Sequence, residues 1–169
     1  TASLILSPVF AGYRESDSLI FEGMDDRGYS MAGGVGLAYR PGRWRLSVNA
    51  IHDLLNVYSG YEAAARVSYV IPLGSVFVEP GIGAEYQSTD YVDYYYGVTD
   101  DEARPWRPEY TPSGTINPEV SLAFFTRSLA GGMTRLQLTH TTYGEEISDS
   151  PLTDAEQSFG INLSFGRMF

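Results

Sequence analysis

The carboxyl-terminal stretch of the chain reads Ser158-Phe159-Gly160-Ile161-Asn162-Leu163-Ser164-Phe165-Gly166-Arg167-Met168-Phe169. Large apolar residues occupy alternate positions up to Phe165, with small or polar residues between them. Successive side chains of a β-strand point to opposite faces, so the pattern predicts a strand with one apolar and one polar face. Phe165 and Phe169 also resemble the terminal signal that the outer-membrane barrel-insertion machinery reads, which makes that machinery an expected partner during assembly.

The same period of two recurs along the chain and predicts about eight strands in all. The predicted segments are 2–14, 29–40, 43–54, 61–72, 75–87, 116–128, 132–143 and 157–169. Connections at 40–43, 72–74 and 128–132 are short, whereas those at 15–28, 88–115 and 144–156 are long. Short turns on one rim and long loops on the other are typical of bacterial outer-membrane barrels. We therefore predict an all-β, antiparallel transmembrane β-barrel, with residues 1–169 in a single domain.

Composition supports this class and excludes others. The 13 Tyr, 8 Phe and 18 Gly favour sheet, and the absence of Cys excludes disulfides and thiol chemistry. The net charge of −10 argues against nucleic-acid binding. The three long loops hold 16 of the 21 acidic residues but only three of the 11 arginines. A soluble antiparallel sandwich is the alternative, but it explains neither the unequal loops nor the final Phe.

Charged side chains recur on the polar faces of the predicted strands, where they would form a network inside the barrel. They are Arg45, Asp53, Glu62, Arg66, Glu79, Glu85, Glu119 and Arg127. In a barrel of eight strands such side chains fill the lumen, whereas in a wider barrel they line water and set ion preference. Strand number decides between these two outcomes.

The loop at 88–115 concentrates rigid aromatic side chains that are candidates for partner binding, namely Tyr91, Tyr94, Tyr95, Tyr96, Trp106 and Tyr110. The alternative is a self-packed lid that only plugs the barrel mouth, and the sequence does not decide between them. Acidic residues in this loop lack the ordered spacing of a calcium loop, so we predict no metal site or cofactor beyond weak divalent bridging to lipid headgroups.

Three stretches carry a family resemblance: 91–112, with its Tyr-Tyr-Tyr-Gly core and Arg-Pro-Trp-Arg-Pro, Phe21 to Ser30, and Gly144 to Leu152. Together with the closing strand they resemble the MipA/OmpV family. The resemblance implies the outer membrane of a Gram-negative bacterium, contact with membrane lipid and lipopolysaccharide, and no catalytic motif. It also implies several strands before the segment at 2–14, so we expect the carboxyl-terminal part of a larger barrel or a shortened barrel.

The resemblance leaves three functions open. The first is a scaffold for murein-synthesis or lytic transglycosylase machinery, or a surface-binding protein; the second is a small-solute channel. The third and least favoured is a lipid hydrolase using His52 or His140, because no spacing fixes a Ser beside either ring. A murein enzyme would contact the short turns at 40–43, 72–74 and 128–132, whereas an extracellular partner would contact the Tyr-rich loop.

Overall fold

The computed structural model describes residues 1–127 and 132–166 and forms a single antiparallel sheet. Its strands are β1 (Ala2–Val9), β2 (Ser30–Tyr39), β3 (Trp44–Asp53), β4 (Tyr61–Tyr69), β5 (Ile71–Leu73), β6 (Val76–Gln87), β7 (Thr115–Arg127), β8 (Met133–Thr142) and β9 (Gln157–Gly166). The eight long strands pair in sequence order, and the short β5 pairs with β6. The predicted barrel wall of about eight antiparallel strands is confirmed, while the signal residue Phe169 lies outside the described residues.

Two predicted segments differ in detail from the observed strands. The segment at 2–14 ends as a strand at Val9, and Tyr13 makes only an isolated bridge to Arg27. The segment at 61–72 is interrupted at Val70, whose amide donates to the carbonyl of Arg43. Both parts keep one register with β6, so the hairpin is continuous through the break.

Regular structure also appears in the long connections. Helix α1 (Thr89–Tyr96) follows β6, helix α2 (Glu145–Ser148) follows β8, and two 3₁₀ turns lie between β1 and β2 at Glu15–Asp17 and Leu19–Phe21. Within the described ranges, none of the helices has the length and apolar character needed to cross a membrane.

The register assigns opposite characters to the two faces of the sheet. One face is apolar and exposed, with Leu4 at 89% and Ile161 at 76% exposure, and the described strands form one sheet with no second sheet packed against it. Water would make such a surface costly, at about 25 cal/mol per Å² of apolar area. The soluble-sandwich alternative is therefore wrong, and the apolar face is the lipid-facing outside of a barrel wall.

Aromatic pairs mark both ends of this outer face. Trp44 and Tyr69 lie edge to face near the short turns, with ring centroids 4.9 Å apart. At the long-loop end Tyr61 lies 5.8 Å from Tyr86. Aromatic girdles at these two levels are expected where the bilayer meets water.

The described sheet is open. β1 pairs only with β2, and β9 pairs only with β8, among residues 1–127 and 132–166. The structure is thus a half-barrel whose inner, concave face carries the polar residues.

Candidate functional site on the concave face and beneath the loop cap

Two ion pairs cross the concave face, and each spans an intervening strand. Arg66 of β4 reaches over β6 to both carboxylate oxygens of Glu119 on β7. Arg135 of β8 reaches over β7 to both oxygens of Glu79 on β6, at 3.0 and 3.2 Å. Paired, two-point contacts of this kind are the geometry that suits a guanidinium and a carboxylate. They tie together strands that do not share backbone hydrogen bonds.

Small residues lie beneath these pairs. Gly83 is paired in register with both Arg66 and Glu119, and a Cβ added there would lie 2.7 Å from Arg66 Cγ and 2.9 Å from Glu119 Oε1. Ala123, which is fully buried, is the register partner of Glu79. The sequence of the intervening strands therefore leaves room for the charged side chains to meet.

A second polar row lies nearer the long loops. Asn117 Nδ2 donates to Gln87 Oε1 at 3.0 Å, and Gln87 Nε2 donates to Glu62 Oε2 at 3.4 Å. The hydroxyl of Tyr58 donates to the other Glu62 oxygen at 3.5 Å. The amide of Gly144 donates to Asn117 Oδ1, which connects the row to the loop before α2.

The remaining predicted charges do not join these contacts. The carboxylate of Asp53 accepts from the hydroxyl of Ser30 and from the backbone amides of residues 55, 58 and 59, so it organises the loop after β3. Arg45 donates only to backbone carbonyls among the described residues. Glu85 is half-buried beside the second row, and Arg127 is exposed at the end of β7.

The long connections fold into one structure at their end of the sheet, here called the loop cap (residues 10–28, 88–114 and 143–156). Its main core is built on α1, which places Tyr91, Val92 and Tyr95 against strand ends and α2. The other members of this core are Val9, Ala32, Tyr58 and Ile147. Because Val9 and Ala32 lie on the concave face, the loop cap covers the concave side of this rim.

Burial divides the six aromatic candidates for partner binding. Tyr91 and Tyr95 are buried, Tyr94, Tyr96 and Tyr110 are half-buried, and only Trp106 is largely exposed, at 62%. Tyr91 and Tyr95 belong to the cap core, because α1 turns these side chains inward, and this is the packing that the alternative of a self-packed lid describes. A binding role for this loop remains a prediction. Because the other five side chains are buried or half-buried, the surface around Trp106 is the part of the loop most accessible to a partner.

Two arginines hold the parts of the loop cap together. Arg27 contacts both carboxylate oxygens of Glu102 at 2.9 Å, and its Nε donates to the carbonyl of Tyr94. Arg107 is fully buried and donates to the carbonyls of Ile20, Glu22 and Glu102. These contacts join the first long connection to the second. A hydrogen bond to a charged group generally contributes about 1.5–3 kcal/mol to stability.

The hydrogen bonds that hold the loop cap together also lower the pKa of two of its carboxyl groups, Glu102 and Glu146. Burial opposes the charge of Glu102, but amide donors from Thr99 and Asp25 and the charge of Arg27 hold its pKa below the ordinary 4.5. Hydrogen bonds from the hydroxyl and amide of Ser113 lower the pKa of Glu146. Both groups favour the folded cap when they are ionised.

Sequence reasoning missed several residues that the structure brings into contact. Gln87 and Arg135 lie on the polar faces of their strands and could have been found by the period of two. Arg27, Glu102 and Arg107 could not, because their contacts join segments about 75 to 87 residues apart in the chain. Spacing within one loop gives no signal for such partners.

Neither histidine is hydrogen-bonded to a serine among the described residues. His52 Nδ1 lies 2.7 Å from the carbonyl of Asp53, and His140 Nε2 lies 2.9 Å from Gln157 Oε1. Both rings lie on the outer-face register, and His140 packs against Phe159.

The space over Gly83 gives a direct test of the ion pair above it. We expect G83A to destabilise the full-length protein by about 1–3 kcal/mol, the usual range for overpacking, since the new methyl group must displace Arg66 and Glu119 and also meets the carbonyl oxygen of Ala65 at 2.8 Å. G160A is the matched control, because a Cβ there meets nothing closer than 3.9 Å. Urea unfolding in lipid vesicles measures both, and equal effects would contradict the assignment.

The lowered pKa of Glu102 predicts how the loop cap responds to acid. Its contribution to stability is fully present above the ordinary pKa of 4.5 and is lost as pH falls through the lower folded pKa. Hydrogen exchange of peptides covering 22–27 and 97–104 should be faster in E102Q than in wild type at pH about 6, with the difference shrinking as the pH falls below 4.5. E109Q, an exposed cap carboxylate, should match wild type throughout, and a pH-independent effect of E102Q would refute the argument.

Comparison with known proteins places these features in a family. The chain is similar to the outer membrane protein Omp26La of Vibrio anguillarum, at 30% identity over 163 residues that cover 93% of this chain and 61% of the relative. It is 28% identical over 157 residues to the outer membrane protein OmpV of Vibrio cholerae, covering 93% and 61%. It is 27% identical over 164 residues to the MltA-interacting protein of Escherichia coli, covering 94% and 66%.

The chain thus spans about three fifths of the length of the first of these curated relatives. No solved structure matches it. The named relatives, with the lipid-facing sheet, identify an outer-membrane protein of a Gram-negative bacterium, and the resemblance drawn from 91–112 and its companion stretches is confirmed. Since the family model described as "MltA-interacting protein MipA" matches residues 2–169, the chain belongs to the MipA family.

Proposed function

We propose that the chain is the wall of a non-enzymatic outer-membrane scaffold that binds a periplasmic lytic transglycosylase at its short-turn rim. The observation that carries the proposal is the contrast between the rims: one is acidic and covered by the loop cap, and the other, at its described turns 40–43 and 72–75, is basic and uncovered. The printed name of the Escherichia coli relative, MltA-interacting protein, supports a murein enzyme as the partner class.

The short-turn rim has the features of a docking surface. Arg40 and Arg43 are exposed at the β2–β3 turn. Gly42 and Gly74 have φ of +60° and +64°, which permits tight turns, and a Cβ at either would meet nothing within 4 Å. Short turns of bacterial barrels face the periplasm, so this rim is the one a murein enzyme would meet.

We also propose that residues 1–169 form one domain and that further strands join β1 to β9 in the whole protein. Both edge strands expose backbone groups that a bilayer cannot satisfy. The greater length of the relatives supports this arrangement.

A small-solute channel is the second candidate. It is supported by a concavity of about 590 Å³ on the short-turn half of the inner face, lined by charged side chains. The loop cap argues against free passage, because its core packs over the inner ends of β1 and β2. Ion conductance of the full-length protein in planar bilayers would favour the channel.

Photo-cross-linking from both rims tests the scaffold. In cells making the full-length protein, a photoreactive residue at position 43 or 73 should capture a lytic transglycosylase, while position 106 in the cap and the lipid-facing position 161 should not. Charge reversal in R40E/R43E should lower the cross-linking yield from position 73 several-fold, since exposed charges steer the association of two proteins. The matched reversal D100R/D101R, at exposed acids of the cap, should leave the yield unchanged.

Cross-links confined to position 106 would instead indicate an extracellular partner and contradict the scaffold. Loss of capture in D100R/D101R but not in R40E/R43E would contradict it equally.

A further inference from the structure

A cluster of arginines surrounds the concavity on the short-turn half of the inner face. The space measures about 590 Å³ and lies between β3, β4 and β6 to β8. Its charged lining residues are Arg40, Arg45, Arg66, Glu79 and Arg135. Size and lining both suit a small molecule rather than a macromolecule.

The carboxylates in contact with this cluster leave part of its charge uncompensated. Arg66 is paired with Glu119, and Arg135 is paired with Glu79. Arg45 is different: its described hydrogen bonds go to the backbone carbonyls of Gly42 at 3.3 Å and Trp44 at 3.0 Å. Glu79 also lies close enough to Arg45 to act on its charge, as Glu85 does on Arg66. Four guanidinium groups therefore face three carboxylates, and the wall of the cavity keeps an excess of positive charge.

The wall also contains neutral groups suited to the rest of a ligand. Ser47, Ser121 and Gln137 contribute hydroxyl and amide groups to the lining. Phe125 lines the cavity, stacks on Phe77 at 5.0 Å, and lies 5.7 Å below the guanidinium of Arg135. An apolar surface in the same cavity as the arginine cluster favours an anion with a small carbon skeleton.

We propose that this cavity is a binding site for small organic anions, with Arg45 as the residue that contacts the carboxylate or phosphate group. A guanidinium offers a planar pair of donors to such a group, and a cleft with walls of low dielectric constant strengthens the attraction. The cavity lies on the short-turn half, so the ligand enters from the periplasmic side. The site does not depend on the scaffold role, because Arg45 lies on β3 and Arg40 is the one residue of the described docking rim that also lines the cavity.

Calorimetric titration of the full-length protein in a zwitterionic detergent tests the site. Succinate should bind, inorganic phosphate should compete with it, and the uncharged succinamide should not bind. R45Q should weaken succinate binding by about tenfold or more, the usual loss for one charged hydrogen-bonding group. R45K keeps the charge but not the paired donors, so its loss of succinate affinity should be smaller than that of R45Q. R14Q, at an exposed arginine near the other rim, should bind like wild type.

A second variant keeps the test decisive if R45Q fails to fold. S47E leaves Arg45 in place and adds a carboxylate two positions away on the same face of β3, so it should weaken binding comparably. The proposal is overturned if folded wild-type protein binds neither succinate nor phosphate. Unchanged affinity in R45Q, or in S47E where R45Q does not fold, would overturn it as well.

Discussion

Hydrocarbon offers no hydrogen bonds, so every backbone N–H and C=O group inside a bilayer must be satisfied by the protein itself. The antiparallel ladder from β1 to β9 meets this demand between neighbouring strands and leaves it open at the outer edges of β1 and β9. Because side chains alternate across such a ladder, one face contacts the lipid and the other carries the Asp, Glu and Arg residues of the described strands. The charged inner face is thus a consequence of the membrane.

Charges on that inner face are satisfied by contacts that cross strands. Arg66 and Arg135 each pass over a neighbouring strand to a carboxylate, and Gly83 and Ala123 are small where they pass. Breaking one partner of such a pair would leave a poorly solvated charge, which is costly. Arg45 is the exception, because Glu79 acts on its charge while pairing with Arg135, and its described hydrogen bonds go to backbone carbonyls, which leaves it available for a ligand.

The strands could be predicted from sequence, and much of the site could not. The alternation with a period of two residues placed β2, β3 and β8 within one residue of their observed ends and assigned Glu62, Arg66, Glu79 and Glu119 to one face. The alternation could not show that Asp53 organises the loop after β3, because three backbone amides of that loop donate to its carboxylate. It also could not show that Tyr91 and Tyr95 are buried, because α1 packs against side chains from β1, β2 and α2, which are distant in the chain.

The central claim is that one face of the sheet contacts lipid and the other faces the barrel interior. The sequence contains no cysteine, so single cysteines at positions 136 to 139 of β8 can carry spin labels in the full-length protein reconstituted into vesicles. Labels at 136 and 138 should collide with oxygen dissolved in the bilayer, and labels at 137 and 139 should not. Uniform oxygen accessibility at all four positions, or high accessibility at 137 and 139 instead, would contradict the account.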